Sequence, residues 1–132
     1  MSAECPFCTL PENYSLAFYD YAYARYDSYP ASPGHMLLLP KRHVSTWSEL
    51  TGPEKTDLLD MVEYARITLD RDVRPDGYNV GFNDGKAAGQ TVMHFHIHVI
   101  PRFDGDTPDP RGGVRGCIPN RMNYIDDEIL SH

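Results

Sequence analysis

Three histidines at alternate positions, His94, His96 and His98, are the residues of this chain best placed to do chemistry. They lie in the run 91–101, whose apolar and β-branched residues predict a β-strand. Side chains alternate between the faces of a strand, so the three imidazoles are expected to share one face while Phe95 and its counterparts point into the core. Packing alone does not explain them, because each buried imidazole needs a hydrogen-bond partner.

Two kinds of chemistry fit three imidazoles on one face. Histidines spaced in this way, with a further ligand, are typical of three-histidine zinc sites. Alternatively, one imidazole attacks phosphorus as a nucleophile while its neighbours bind phosphate oxygens and move protons. The spacing alone does not choose between them. A phosphate loop is excluded, since the glycine-containing segment 81–86 is too short for one and is followed by Ala87 instead of serine or threonine.

The chain has three cysteines, an odd number that excludes a complete disulfide framework. Two of them form the pair Cys5 and Cys8, and Cys117 stands alone. In a reducing compartment such a pair favours a metal site over a structural bridge. A redox site needs the pair to open a helix in a βαβ unit, which the strand-like residues that follow do not predict. Incidental packing of the two thiols is the remaining alternative.

The strands that must position these groups are predicted from apolar runs and turn residues. Aromatic-rich stretches predict two short strands near 15–20 and 22–27, because aromatic side chains favour a half-buried pleated surface. The continuous apolar run 35–40 predicts a third strand that is buried on both faces. Further strands are expected at 78–82 and at 114–118.

One helix is predicted between these strands. Thr51 is its expected N-cap, Pro53 suits the first turn, and an apolar stripe follows with a near-helical period. The element is expected to end at the turn 74–77. Strands on both sides of a single helix indicate an α+β fold with an antiparallel sheet.

Composition limits the class of protein further. With 132 residues, of which 41% are hydrophobic and 23% charged, the chain is typical of one globular domain. A net charge of −7 argues against binding to bulk nucleic acid, although a locally positive pocket still accommodates a single nucleotide. Neither a signal peptide nor an apolar run long enough to cross a bilayer is recognisable, so no membrane partner and a cytoplasmic location are expected.

The run 89–100 resembles the signature of the histidine triad (HIT) family, in which three histidines alternate with apolar residues. The stretch 33–43 is similar to a second recurrent segment of that family, and 79–84 resembles the polar loop before the triad strand. The resemblance covers about residues 4–103 of a single domain 1–132, with 104–132 as a substrate-side tail. It implies a HIT-like α+β fold with about five antiparallel strands, one long helix, a short second helix and a sheet extended across a homodimer.

The resemblance also implies a reaction. The protein would be a nucleotide hydrolase or transferase in which His96 attacks the α-phosphorus and the resulting nucleotidyl-histidine is hydrolysed to a nucleoside monophosphate. His98 would bind phosphate oxygens and help to protonate the leaving group, and His35 would orient the triad from behind. No magnesium ion is strictly required, because fixed donors stabilise the developing charge.

The expected substrates are adenine-containing nucleotides, either dinucleoside polyphosphates or adenosine phosphoramidates. By resemblance, a carboxylate would hold the ribose hydroxyls, the loop before the triad would bind the phosphate or leaving group, and an aromatic wall would line the base pocket. The matching residues are Asp27 for the ribose, Asn83, Gly89, Gln90 and Thr91 for the substrate-binding loop, and Phe7 for the wall.

In zinc-containing branches of the family, a C-x-x-C pair combines with the histidine of a basic segment and the first triad histidine. The matching residues here are Cys5, Cys8, His43 and His94. Four such ligands suit tetrahedral zinc with no open position, so the expected site is structural. His94 would then not be a free acid or base. In the alternative interpretation His43 is a surface residue that follows two basic ones.

Two other functions stay open at this stage. A nucleotide-binding or interaction module with little turnover is one, because fold and pocket alone do not prove chemistry. A catalytic metal site made by the triad itself is the other. In the tail, Arg111 and Arg115 fit contacts to extra phosphates as well as they fit solvated loop charges.

Overall fold

The computed structural model describes residues 5–8 and 15–123, and within them one antiparallel sheet carries one long helix. The sheet has five strands in the order β1-β2-β3-β5-β4. The elements are β1 (Ser15–Phe18), β2 (Ala22–Tyr26), β3 (Met36–Pro40), α1 (Gly52–Asp72), β4 (Gly77–Gly81) and β5 (Ile97–Arg102). The predicted α+β fold class, the strands before the helix and the helix itself are confirmed.

Helix α1 begins where the sequence predicted. The Thr51 hydroxyl accepts a hydrogen bond from the Glu54 amide at 3.2 Å, and the Glu54 carboxylate accepts one from the Thr51 amide at 2.8 Å. This reciprocal pair satisfies two donors that the helix would otherwise leave free. Leu58, Met61 and Leu69 are fully buried on the side that faces the sheet. The apolar stripe therefore fixes which face of the helix packs on the strands.

The two faces of the sheet serve different purposes. On the helix side, alternate residues such as Met36, Leu38 and Val99 belong to the main core. On the other face, which we call the second face, Leu37 packs with Tyr23. The strand pairing places Leu37 beside His98. The alternation along β3 and β5 thus buries one set of side chains under the helix and carries His98 on the second face.

The predicted strand 91–101 is wrong in its first half. Strand β5 begins at Ile97, and both His94 and His96 precede it in a bent segment. The pairing of β5 with β3 ends at Leu38, and the Phe95 amide donates to the Val44 carbonyl at 2.7 Å instead. Regular pairing stops because the chain after Pro40 leaves the sheet. The in-and-out pattern survives, since Phe95 is buried and His96 is half-buried.

Short 3-10 turns replace other predicted elements. The expected strand 114–118 is wrong, because Gly113–Cys117 forms a 3-10 helix whose preceding residue, Gly112, has φ +92°. The other helices among the described residues are short and of the 3-10 type, and two of them are Trp47–Glu49 and Lys86–Ala88. No helix among the described residues is long and apolar enough to span a membrane.

The described residues 103–123 belong to a compact unit of their own. Within it the Arg111 guanidinium donates to both carboxylate oxygens of Asp109, with its Nη2 at 3.0 Å from Oδ2. Arg115 Nε donates to the Arg121 carbonyl at 3.1 Å. Both arginines therefore have local partners, and a role towards phosphates stays an open prediction.

Candidate active site and metal centre

Four side chains that can ligate a metal converge from three separate segments. The ligand atoms of Cys5, Cys8, His43 and His94 all lie within 4.8 Å of one another. Cys8 Sγ is 3.0 Å from His43 Nδ1, and His94 Nδ1 is 3.5 Å from each of the two sulfurs. The group predicted from the resemblance is therefore assembled by the fold, from the turn 5–8, the segment after β3 and the segment before β5.

The protonation of His94 fits the binding of a metal. Its Nε2 lies 2.8 Å from the Pro40 carbonyl, which can only accept, so Nε2 carries the proton. The lone pair of a neutral His94 is then on Nδ1, the atom that faces the two cysteine sulfurs. A metal-bound histidine typically donates its other ring N–H to a backbone carbonyl in this way. Two thiolates and two imidazoles form a tetrahedral set that suits zinc.

An ion pair ties the segment that carries His43 to the start of α1. Arg42 donates to both carboxylate oxygens of Glu54, at 2.8 and 3.1 Å. These hydrogen bonds are the main reason that the pKa of Glu54 lies below its usual value. Because Glu54 is buried and also caps the helix, the residue next to the metal ligand has a fixed position.

A second chain of hydrogen bonds fixes the proton on His98. The Ala31 amide donates to His35 Nδ1 at 2.9 Å, so a neutral His35 carries its proton on Nε2. That Nε2 lies 2.9 Å from His98 Nδ1 and donates to it. A neutral His98 is therefore protonated on Nε2. Asp27 Oδ2 lies 3.5 Å from the same Nε2 of His35, which adds a carboxylate to the chain.

The opposite arrangement holds for His96. Its Nδ1 lies 2.8 Å from the His94 carbonyl and must donate to it. In a neutral His96 the lone pair is then on Nε2. The rings of His96 and His98 are 4.9 Å apart, so a nucleophilic nitrogen lies next to a ring whose Nε2 is a donor.

The group Asp27, His35 and His98 also has the spacing of a metal site, but its hydrogen bonds argue against one. A metal can bind His35 Nε2 only through a lone pair on that nitrogen. Because the Ala31 amide donates to Nδ1, the proton of a neutral His35 is on Nε2, and no lone pair is available there. Among the described residues, no group with metal-ligand spacing contains all three triad histidines. The geometry therefore favours the Cys/His group as the metal centre.

The loop between β4 and β5 contains the other predicted substrate residues. Asn83, Gly89 and Thr91 are exposed, and Asn83 follows by two positions the residue that pairs with His98. The Gly89 amide donates to the Lys86 carbonyl at 3.0 Å, so a phosphate could take this donor only if the turn opened. Gly89 has φ +96°, a conformation that favours glycine.

Gln90 is buried and holds this loop in place. Its Oε1 accepts from the Gly85 amide at 2.8 Å, and its Nε2 donates to the carbonyls of Ser45 and Val92. Its side-chain amide is thus already bonded to backbone atoms. These bonds hold the loop in place, and a direct contact of Gln90 with substrate stays a prediction.

The second face of the sheet continues from the histidines to an aromatic and basic cluster. The Phe7 ring lies 5.0 Å from the His96 ring, and the Arg25 guanidinium carbon lies 5.5 Å from the Phe7 ring centre. The Tyr23 hydroxyl donates to the Phe7 carbonyl at 2.6 Å. Tyr23, Arg25 and Asp27 alternate along β2 and its end, which places them on one side of the strand.

Several functional atoms were missed because they belong to the backbone. The Ala31 amide and the carbonyls of Pro40 and His94 set the histidine tautomers, and residue type gives no signal for them. Arg25 was also missed, although a charged residue two positions before Asp27 on a predicted strand was a usable signal.

The burial of His98 gives a pH dependence that can be measured. Burial, reinforced by the charges of His96 and His35, lowers the pKa of His98 to about 4. The unfolded chain binds this proton at about pH 6.5, so the stability that neutral His98 contributes is complete above that pH and is lost as the pH falls towards 4. We expect urea unfolding to show a loss on the order of 3 kcal/mol from this group between those limits. The unfolding free energy of the variant His98→Asn should change less with pH over the same range. If it changes with pH as steeply as that of the wild type, a neutral buried His98 is contradicted.

The fold and the site together define a class, an α+β protein with a helix on one face of an antiparallel sheet. The other face carries a group of histidines next to four Cys and His side chains that have the spacing of a metal site. The chain belongs to the HIT family, since the HIT domain family matches residues 11–105. A crystal structure of a Zn-bound histidine triad family protein from Mycobacterium smegmatis is similar, with TM-score 0.71 and 29% identity, covering 83% of this chain and 86% of that one. The resemblance inferred from the sequence is confirmed.

The relatives that are named for an activity include the following two. An AP-4-A phosphorylase of Mycobacterium tuberculosis is 40% identical over 85 residues, which are 64% of this chain and 44% of that protein. A bis(5'-adenosyl)-triphosphatase of Dictyostelium discoideum is 43% identical over 82 residues, which are 61% of this chain and 55% of that protein. The chain thus spans about half the length of these relatives.

Proposed function

We propose that this protein is a nucleotide hydrolase or transferase that cleaves at the α-phosphorus through a nucleotidyl-histidine on His96. The observation that carries the proposal is the hydrogen bond from His96 Nδ1–H to the His94 carbonyl, because it leaves the Nε2 lone pair for attack on phosphorus. The similarity to enzymes named for diadenosine polyphosphates supports this assignment.

The proposed first step uses the two tautomers on the second face. His96 Nε2 forms a bond to the α-phosphorus, and the bond to the leaving group breaks with its electron pair. The ring of the intermediate becomes cationic, and its Nδ1–H still donates to the His94 carbonyl, which stabilises the charge. His98 Nε2–H donates a hydrogen bond to a phosphate oxygen or to the leaving group, and the donor from His35 keeps it in that tautomer.

In the proposed second step a water oxygen bonds to phosphorus, and the phosphorus–nitrogen bond breaks with its electron pair returning to His96. A nucleoside monophosphate is released, and a proton of the water passes to the solvent. Splitting one difficult displacement into two easier ones is the general advantage of a covalent intermediate. When zinc is bound to the Cys/His group, all four ligand positions are filled, and zinc then stabilises the fold.

The proposed substrate contacts follow the same geometry. Asp27, beside His35 and His98, accepts hydrogen bonds from the ribose hydroxyls. Asn83 and Thr91, which lie on the exposed loop, bind the phosphates of the substrate. Phe7 forms an aromatic wall next to His96. An adenine-containing dinucleoside polyphosphate or an adenosine phosphoramidate presents the required α-phosphorus. A binding module without turnover is the alternative function.

The test of the function is an equimolar mixture of a diadenosine polyphosphate and an adenosine phosphoramidate, incubated with the wild-type protein and analysed by chromatography. We expect AMP to be released, and the substrate that disappears first to identify the preferred leaving group. If neither substrate yields AMP while nucleotide binding is detected by calorimetry, the protein is a binding module.

The proposal includes a homodimer. Strand β4 lies at the edge of the sheet, and its residue Val80 is exposed. On α1, Leu59 and Ile67 are 61% and 59% exposed, although they are large and apolar. A second copy that pairs edge to edge would cover an open strand and apolar surface of this kind. Sedimentation velocity should show twice the mass of the 15.0 kDa chain, and a monomer would contradict the dimer.

A further inference from the structure

One aromatic residue connects the metal centre to the proposed nucleophile. Phe7 lies between the two metal-ligating cysteines in the turn 5–8, which we call the metal turn. Its ring contacts His94 at 6.1 Å and His96 at 5.0 Å between ring centres, in both cases edge to face. The guanidinium carbon of Arg25 lies 5.5 Å from the centre of the same Phe7 ring. The same ring is therefore part of the metal turn and of the surface beside His96.

Apart from its two thiols, the metal turn is held mainly through Phe7, which packs against Tyr23, Leu37 and Leu39 on the second face. It contributes no strand to the sheet, and its own backbone bond, from the Cys8 amide to the Cys5 carbonyl, is long at 3.3 Å. The bond from the Tyr23 hydroxyl to the Phe7 carbonyl anchors one point. The contacts of the two thiols with His43 and His94 are weak hydrogen bonds until a metal replaces the thiol protons, because sulfur is a poor donor. Metal ligation would restrain the turn at both of its ends, at Cys5 and Cys8, in addition to the packing of Phe7 between them.

We propose that occupancy of the Cys5–Cys8–His43–His94 site by zinc controls nucleotide affinity, with Phe7 as the positioning residue that transmits the effect. Zinc fixes the metal turn, the turn holds the Phe7 ring against His96 and Arg25, and the ring forms one wall of the nucleotide site. Without the metal, Phe7 keeps its packing against Tyr23, Leu37 and Leu39, but the two ends of the turn are released. The ring is then less firmly held beside His96, and part of the site must be ordered when the nucleotide binds. This inference rests on the proposed function, since it assumes that a nucleotide binds on the second face beside His96.

The coupling must act in both directions. If zinc raises the affinity for a nucleotide by some factor, a bound nucleotide raises the affinity for zinc by the same factor. Aromatic contacts are worth enough to change affinity up to about tenfold. The expected coupling is therefore about tenfold, and it can be read from zinc binding without any turnover.

The experiment measures AMP binding by calorimetry to zinc-loaded and chelator-treated protein. We expect chelation to weaken AMP binding about tenfold in the wild type. The Phe7→Ala protein should retain zinc and bind AMP more weakly than the wild type by a similar factor. Chelation should then weaken its AMP binding little further. Pro6→Ala is the matched control, because Pro6 lies in the same turn, its side chain is exposed, and it is not part of the proposed nucleotide site.

The reciprocal measurement uses a competing chromophoric chelator to determine zinc affinity with and without AMP. AMP should tighten zinc binding about tenfold in the wild type and in Pro6→Ala, and leave it unchanged in Phe7→Ala. Far-ultraviolet circular dichroism of the metal-free protein is recorded beside this measurement, because unfolding without zinc would let AMP tighten zinc binding in every variant. Tightening in Phe7→Ala would therefore show that the coupling acts through folding and not through the Phe7 ring.

Three other outcomes would overturn the inference. AMP affinity that does not depend on zinc would show that the two sites are uncoupled. If chelation weakens AMP binding by the same factor in the wild type and in Phe7→Ala, the metal acts by a route other than the Phe7 ring. If AMP does not bind even to the zinc-loaded wild type, the proposed function itself fails, and the inference fails with it.

Discussion

His96→Asn is expected to lower kcat for AMP release by about a thousandfold or more, because it removes the only protein atom proposed to bond to phosphorus. The amide nitrogen of asparagine occupies roughly the place of the histidine Nδ1, so the donor to the His94 carbonyl is retained while Nε2 is lost. AMP affinity and zinc content are therefore expected to stay within a few-fold of the wild type. Single-turnover chromatography with the preferred substrate measures the change.

The matched control is His35→Gln, which alters the chain behind His98 and leaves His96 in place. We expect it to reduce kcat less than His96→Asn does, since the nucleophile is intact. Turnover of His96→Asn within tenfold of the wild type would exclude a nucleotidyl-histidine at this position. Loss of zinc from His96→Asn, with Cys5 and Cys8 dispensable, would favour a metal site made by the triad itself.

The sequence predicted the grouping of the three histidines better than it predicted the strand that carries them. Strict alternation from Phe95 onward follows from the two-residue period of an extended chain, and it holds even where no regular pairing exists. The sequence did not predict the start of β5 at Ile97, because that start depends on where the pairing with β3 ends. Before it, the Phe95 amide bonds to the Val44 carbonyl, a contact between residues far apart in the sequence. Periodicity reports a local conformation and not the pairing of strands.

The helix was predictable because its signals are local. Thr51, Pro53 and Glu54 interact within one turn, and the capping bonds join residues three apart. The 3-10 helix Gly113–Cys117 was mistaken for a strand because its side chains gave a weak pattern, while the conformation follows from the backbone of Gly112 and Gly113. Local rules succeed where the stabilising contacts are themselves local.

The protonation pattern of the site lay beyond the sequence altogether. Nothing about the residue types says which nitrogen of His96 or His98 has the lone pair. The His94 carbonyl decides it for His96, and the Ala31 amide decides it for His98 through His35, so the deciding atoms are backbone groups. The resemblance to a family supplied the roles, and only the geometry supplied the reason why one imidazole is suited to attack and its neighbour to donate.

Removal of zinc is expected to lower the melting temperature by about 10 °C or more. Structural zinc contributes its binding free energy to folding, and several kcal/mol in a domain of this size correspond to a shift of that magnitude. The zinc ligands join the metal turn, the segment after β3 and the segment before β5, so their loss releases three segments at once. Differential scanning calorimetry with and without a strong chelator, together with metal analysis of the purified protein, measures the effect.

The cysteines of the chain provide a matched pair of variants for this prediction. Cys8→Ser removes a proposed ligand that lies 3.0 Å from His43 Nδ1, whereas Cys117→Ser changes an exposed thiol in another part of the chain. We expect Cys8→Ser to melt at the temperature of the chelated wild type and to respond little to chelator, because its site is already broken. Cys117→Ser should behave as the wild type does. A purified protein without zinc, and a melting temperature that neither chelator nor Cys8→Ser changes, would mean that the four side chains meet without a metal and that the hydrogen bonds of His94 alone fix the start of the triad.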